Sequence, residues 1–436
     1  MKNYSNQPKP IAQPSSFRQL LQIPVIVAAL GYFVDIYDLL LFSIVRIESL
    51  KSLGVPESDL LNEGVYLLNM QMGGLLVGGI LWGVLGDKKG RITVLFGSIL
   101  IYSLANIANG LVTSVDQYAI LRFIAGIGLA GELGVGITLV AEILPKETRG
   151  YGTSLVAGVG MLGAVLAYFI TELFEWRTAY FIGGGLGFML LFMRVKVFES
   201  GIFIKIKEKS VSRGNFFQLF TSSKQFFKYL RCILIGVPVW FVAGILMTFS
   251  PEFGKALNLD VPIIAGKAVM WEYIGLALGD ISSGILSQYL RSRKKVVLLF
   301  ILLASVLIAI YLFVPLQSAT IFYTLCVFLG FAVGYWALFV TIAAEQFGTN
   351  LRATVATTVP NFVRGSIIIM TPLFVLFKDQ FGILPGAGLL GLLAIITALL
   401  GLWKMEETFG KDLNFVEKSS DHTSKTVFKP ETIIEE

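Results

Sequence analysis

The sequence predicts an all-helical integral membrane protein of twelve spans, arranged as two pseudo-symmetric six-helix halves. Three observations carry that prediction. First, 55% of the 436 residues are hydrophobic and only 15% charged, where a soluble domain carries nearer a quarter charged. Second, the apolar residues form continuous runs long enough to cross roughly 30 Å of hydrocarbon as helices, rather than the alternation of a barrel. Third, an offset of 203 residues carries Gly131 onto Gly334, Ala141-Glu142 onto Ala344-Glu345 and Arg149 onto Arg352. The match falls at the same place in the fourth span of each half, as an internal duplication would.

The elements follow in order. A polar arm, 1–21, precedes a first run at 22–45 that is itself a full span, so no cleavable leader is expected. Runs at 64–86, 92–112, 117–142, 151–174 and 177–195 complete the first half, 22–195. The segment 196–230 then interrupts the series with Lys196, Lys205, Lys207, Lys209, Arg213, Lys224 and Lys228. Such a basic, partly amphipathic linker is expected along a membrane face. The second half, 231–404, holds runs at 231–251, 267–290, 296–315, 318–345, 353–377 and 384–404, and the polar tail 405–436 is expected without fixed structure.

Charge orients the chain. Lys88, Lys89, Arg91, Lys146, Arg149, the linker, Arg291, Arg293, Lys294, Lys295 and Arg352 fall in alternate connections, while the opposite ones are acid-leaning or nearly neutral. That bias puts both termini in the cytoplasm and the chain in a plasma (inner) membrane as a multi-pass protein. It also accounts for the net charge of +6, so nucleic acid is not an expected partner. Cys232 and Cys326 lie in apolar runs and read as packing residues rather than a disulfide; His422 is the single histidine, which excludes a multi-His metal site. No Ser-His-Asp or Cys-His constellation supports an enzyme, and no loop is long enough for a sensor domain.

The connection after the second span reads Gly79-Ile-Leu-Trp-Gly83-Val-Leu-Gly86-Asp87-Lys88-Lys89-Gly90-Arg91. Glycines let helices approach closely, and the charges suit a gate of ion pairs. This loop resembles the signature of the major facilitator superfamily. A weaker version, Gly279-Asp280 through Arg291-Ser-Arg293-Lys294-Lys295, follows in the second half with Leu290 in place of the Asp. The fourth span, Arg122 through Glu132 and on to Glu142-Ile-Leu-Pro145-Lys-Glu-Thr-Arg149-Gly150, resembles the metabolite–proton symporter and sugar-porter branches. Glu199-Ser200 resembles their Pro-Glu-Ser-Pro element without its prolines, and the fifth span, Gly158 to Ala164, lacks the Gly-Pro pair of the drug antiporters. The resemblance covers nearly the whole chain. It implies alternating access by a monomer, with a small-molecule substrate and the bilayer as partners.

Charges inside spans are the candidates for function, because each costs on the order of 3 kcal/mol at the bilayer centre unless paired or hydrated. Asp35 and Asp38 stand one turn apart in the first span and can share a face toward a cavity. Arg122 is the natural counter-charge. The resemblance implies that Asp38 and Arg122 form a protonation switch; a static pair is the other reading, and Asp35 can equally be the proton site. Glu132 either joins the proton path or pairs with a neighbouring helix. Glu142, Arg149, Glu345 and Arg352, with Gly83, Asp87 and Arg91, are expected as a cytoplasmic gate. In the second half Arg364 follows Asn361 by one turn, and a buried Arg suits a carboxylate or phosphate bidentately, or else pairs with Glu272 or another acid. Asn69, Gln71, Tyr335, Trp336 and Trp240 are expected to complete a polar-aromatic substrate pocket. These residues predict proton-coupled uptake of a small organic anion, with no cofactor and with sodium as an alternative coupling ion. Sugar or polyol symport and drug efflux are the rival readings.

Overall fold

The computed structural model describes residues 21–144, 146–194, 216–316, 318–348 and 351–411, without the side chains of 141, 142, 146–151, 154 and 353. Every regular element among them is helical. The first half comprises α1 (Ile23–Ser52), α2 (Leu60–Lys89), α3 (Arg91–Asn109), α4 (Val115–Leu129), α5 (Glu132–Ile143), α6 (Lys146–Met161), α7 (Gly163–Leu173) and α8 (Trp176–Met193). The second comprises α9 (Ser223–Leu234), α10 (Val237–Phe241), a π-helical turn Val242–Met247, α11 (Ser250–Ala256), α12 (Ala265–Tyr289), α13 (Arg293–Phe313), α14 (Ala319–Val333), α15 (Trp336–Gln346), α16 (Arg352–Gly365), α17 (Ile367–Phe381) and α18 (Ile383–Trp403).

Ten helical stretches among the described residues are long and apolar enough to cross a membrane, and five of them run through a break between two of these helices. Helices α8 and α12 fall outside that ten. Arg177 and four glycines dilute α8, and Lys267, Glu272 and Asp280 dilute α12.

The breaks are where sequence reading and structure part. The fourth span, expected as one helix, is interrupted at Ala130-Gly131, and its counterpart in the second half at Gly334-Tyr335. A break leaves backbone groups without helical partners, and in hydrocarbon these must be satisfied by protein. At the first break the carbonyl of Ala130 accepts a 2.8 Å bond from the Asn361 amide of the other half. At the second, Asp280 Oδ1 accepts from the N–H of Ala337 at 3.0 Å.

Close helix contacts repeat between the halves. Gly74 lies on the Phe123 carbonyl and Gly126 on that of Gln71; in the second half Gly275 lies on the Val327 carbonyl and Gly330 on that of Glu272. Each leaves no room for a methyl group, which is how α2 reaches α4 and α12 reaches α14 at backbone distance.

Three boundaries differ from the sequence reading. Helix α1 continues to Ser52, so Arg46 lies inside it. Helix α9 starts at Ser223, capped by the Ser222 hydroxyl, so the end of the expected linker is the start of a span; 196–215 lies outside the described residues. The start of the expected tail is anchored: Glu407 accepts from the Ser292 hydroxyl and from the N–H groups of Arg293, Lys294 and Phe409. Burial opposes its ionisation, but these donors outweigh burial and hold the carboxyl below the ordinary glutamate range. This anchor is therefore fully present above the ordinary range and is lost as pH falls through the lowered value. Both cysteines are buried and unbridged.

The glycine contacts set a prediction. Gly126→Ala must push backbone apart and is expected to lower thermal stability in detergent, by about 1–3 kcal/mol or more. Gly185→Ala, with nothing within 4 Å of the added carbon, is expected to be neutral or stabilising. Equal melting of the two variants would contradict the assigned packing.

Candidate substrate and coupling site

The two halves meet along α2 and α16 and are clasped at three levels. At one end Asp87 Oδ2 accepts from the N–H of Thr354 at 2.9 Å and from its hydroxyl at 2.6 Å, with Arg91 at 3.5 Å from the same carboxylate. Gly83 lies beside Thr354 and makes that approach sterically open. Asp87 and Leu60 stand at opposite ends of α2, about 40 Å apart at 1.5 Å per residue. Near Leu60 the buried Arg46 pairs with Glu252 at 2.6 Å, lies over the Phe249 ring and donates to the carbonyls of Leu60 and Thr248.

Between these ends lies the third clasp. Arg364 of α16 faces Asp35 of α1, with Nη2 3.7 Å from Oδ2. That separation is an ion pair too long for a hydrogen bond, and both Asp35 oxygens lack a hydrogen bond among the described residues. The guanidinium lies 5.9 Å from the Trp240 ring centre and 5.7 Å from that of Trp336, and donates a long bond to Asn361 Oδ1. Asp35 is fully buried and Arg364 is 1% exposed. Asn361 thus holds both Arg364 and the broken α4–α5 connection. Nearby, Asn69 accepts from the Thr371 hydroxyl across the halves, and Gln71 donates to the Leu39 carbonyl.

Several expectations change in this light. Asp35 and Asp38 lie on one side of α1, about 60° apart around the helix, but meet different neighbours, Arg364 and Gly183. Asp38 packs on Gly183, inside the first half. No Asp38–Arg122 ion pair is formed: Arg122 donates to the Tyr180 hydroxyl at 3.4 Å and lies over Phe42, while Tyr180 and Tyr118 share a 2.6 Å bond. Arg364 pairs with Asp35 and not with Glu272, which is fully buried with neither carboxylate oxygen hydrogen-bonded among the described residues. The Tyr335 hydroxyl is committed to the Ile235 carbonyl. Within the expected gate, Glu345 pairs with Arg293 at 3.1 Å, and Arg352 donates to the Ala344 carbonyl. The side chains of Glu142 and Arg149 lie outside the described residues.

Glu132 has a partner that sequence reading missed. Arg194, just past α8, grips it with two 2.6 Å bonds and also donates to the Leu95 carbonyl, while Ser98 adds a fourth contact. Proximity to the basic linker hid Arg194, and an early end to the first span hid Arg46; a charge inside an apolar stretch was the available signal for both.

The contrast between the two buried pairs is testable. Arg194→Met leaves Glu132 buried without a counter-charge and is expected to cost about 3–5 kcal/mol, read as loss of folded protein. The double variant Glu132→Leu/Arg194→Met is expected to recover most of that stability. Failure to recover would give the pair a role other than fastening α5 to α8.

Comparison with known proteins agrees with this architecture. Residues 28–372 match the sequence family described as Major Facilitator Superfamily. A Bacillus subtilis protein named for niacin/nicotinamide transport is 29% identical over 81% of this chain and 86% of its own length. One from Haemophilus influenzae named for metabolite transport is 28% identical over 89% of this chain and 96% of its own. In structure, the chain is similar to the proton:xylose symporter XylE bound to 6-bromo-6-deoxy-D-glucose, with TM-score 0.69 at 16% identity, over 91% of this chain and 98% of that one. At that identity the likeness concerns the fold alone. The chain belongs to the major facilitator superfamily: it is a multi-pass membrane transporter of small molecules, not an enzyme.

Proposed function

We propose that this protein is a proton-coupled symporter that takes up a small organic anion, a carboxylate in the first instance, by alternating access. The observation that carries the proposal is the loose, fully buried Asp35–Arg364 pair between the halves. A tight buried pair is a fastener; a pair at 3.7 Å with both carboxylate oxygens unbonded is one an incoming anion can replace. Arg364 offers a planar fork that fits a carboxylate, and the two Trp rings supply apolar walls. When Asp35 takes a proton, its charge no longer competes for Arg364, so substrate and proton enter together. Without either ligand, Asp35 and Arg364 neutralise each other and the halves can re-close. Asp38 and Arg122 are a second buried carboxylate and guanidinium inside the first half, and Asp38 is the second candidate for the coupling proton.

The names of relatives favour this substrate class. Niacin, the compound in the name of an Acinetobacter baylyi relative 28% identical over 75% of this chain, is a carboxylic acid, and so is sialic acid, named for an Escherichia coli relative matching half of it. Closure at the Asp87–Thr354 and Arg46–Glu252 ends describes an occluded form, with one end opening at a time. Twelve spans, with both termini and the Asp87 connection on the cytoplasmic side of the inner membrane, follow from the charge bias and the paired halves. A monomer suffices for this mechanism.

The first experiment is a thermal-shift screen of the purified protein against small carboxylates including nicotinate, and against sugars, amino acids and phosphates, at mildly acidic and mildly alkaline pH. Stabilisation by carboxylates, stronger in acid and absent in Arg364→Ala, is expected. Stabilisation by sugars alone, or an undiminished carboxylate shift in Arg364→Ala, would remove Arg364 from the substrate site. In proteoliposomes, Asp35→Asn is expected to lose proton-driven accumulation while retaining exchange of substrate, and Asp38→Asn to do the same if it shares the coupling. Undiminished accumulation in both would end the coupling reading.

A further inference from the structure

Helix α3 carries a polar stripe that the Arg364 site does not use and of which only Ser98 is bonded to another helix among the described residues. Ser98, Tyr102, Asn106 and Asn109 recur at intervals of four, four and three, which places them on one face; Ser103 adjoins them. All are at most 1% exposed. The stripe spans about 16 Å, from the Glu132–Arg194 pair, where Ser98 meets Glu132, to the end of α3 beside Gly110. The Tyr102 hydroxyl, the Ser103 hydroxyl and both polar atoms of Asn106 and of Asn109 have no hydrogen-bond partner among the described residues. Neither do the Asp38 oxygens, nor Nε and Nη2 of Arg122. Asn106 stands within reach of the Asp38 carboxylate. Glycines on α8 flank this region: Gly183 against Asp38 and Gly187 against the Ser103 hydroxyl.

So many unmet polar groups in one buried layer would cost several kcal/mol if left dry, and buried polar groups that lack protein partners are met by ordered water. An apolar role for the stripe is excluded by its composition. We propose that the α3 stripe holds a chain of ordered water that delivers protons inside the first half to Asp38. This route lies apart from the substrate route between the halves. Each transfer passes a proton from one water oxygen to the next and ends on a carboxylate oxygen, so no electron or co-reactant is consumed. The charged groups facing the layer are Asp38 and Asp35 from α1, Arg122 from α4, Glu132 from α5 and Arg194 after α8. The proposal rests on the coupling reading above, and its test separates the two.

The test has a substrate-independent arm. Radiolytic hydroxyl-radical footprinting of the purified full chain labels side chains that touch ordered water even when buried. Tyr102 is expected to label several-fold faster than Tyr335, which is equally buried but has its hydroxyl bound to protein. In Asn106→Leu/Asn109→Leu the Tyr102 rate should fall to that of Tyr335. Wild-type Tyr102 labelling as slowly as Tyr335 overturns the proposal. The second arm is proton-driven uptake of the carboxylate that stabilises the protein most in the thermal screen. The double Leu variant should lose accumulation several-fold but keep substrate exchange, and Asn106→Ser, which leaves space for water, should retain it. If Asp38→Asn loses accumulation while the double Leu variant keeps it, the stripe is not the proton route and coupling stands. If Asp38→Asn keeps it as well, delivery to Asp38 falls together with the coupling reading.

Discussion

Hydrocarbon offers no hydrogen bonds, so every interruption of a spanning helix must be met by another part of the protein. The site depends on that constraint. The break at Ala130-Gly131 frees a carbonyl that Asn361, from the other half, satisfies, and Asn361 in turn holds Arg364. The substrate candidate is therefore built on the same bond that closes the two halves. Glycine makes this geometry reachable: Gly79 packs on Asn361, and Gly134 lies directly on Thr357 one turn earlier. A larger residue at either place would separate α16 from the first half and take Arg364 with it.

Buried charges in this protein fall into two physical kinds. Glu132–Arg194 is bidentate, short and backed by a backbone carbonyl and a serine, so desolvation is offset by several strong bonds and the pair fastens α5 to α8. Arg46–Glu252 and Asp87–Thr354 are likewise short, but they join the two halves at opposite ends. Asp35–Arg364 is longer and under-bonded, and the two Trp rings cushion the guanidinium without satisfying its donors. The tight contacts fasten helices within the first half and join the halves at their two ends, and the Asp35–Arg364 pair between those ends is the looser one.

Much of this was legible before any coordinates. Apolar run lengths marked most spans, because lipid imposes a minimum helix length, and the 203-residue echo pointed to two related halves. Burial of charge flagged Asp35, Asp38, Arg122, Glu132, Glu272 and Arg364, since such residues are costly unless used. The partners were harder. Arg364 was matched to Glu272 as readily as to any acid, and Asp38 to Arg122, because hydropathy carries no information on rotation about a helix axis. Asp35 and Asp38 differ by less than a turn, yet one faces Arg364 and the other Gly183.

By itself the sequence determined the class of solvent, the helical content and which charged residues lie inside apolar stretches. Each follows from composition and period, which are local properties. Only the tertiary structure decided which charge meets which, where helices break, and which polar residues share one buried layer. Asn361 with Ala130, Asp280 with Ala337, and Arg194 with Glu132 all join positions from different helices. Their pairing is set by how glycine faces let backbones approach, and that approach exists only once the helices are packed.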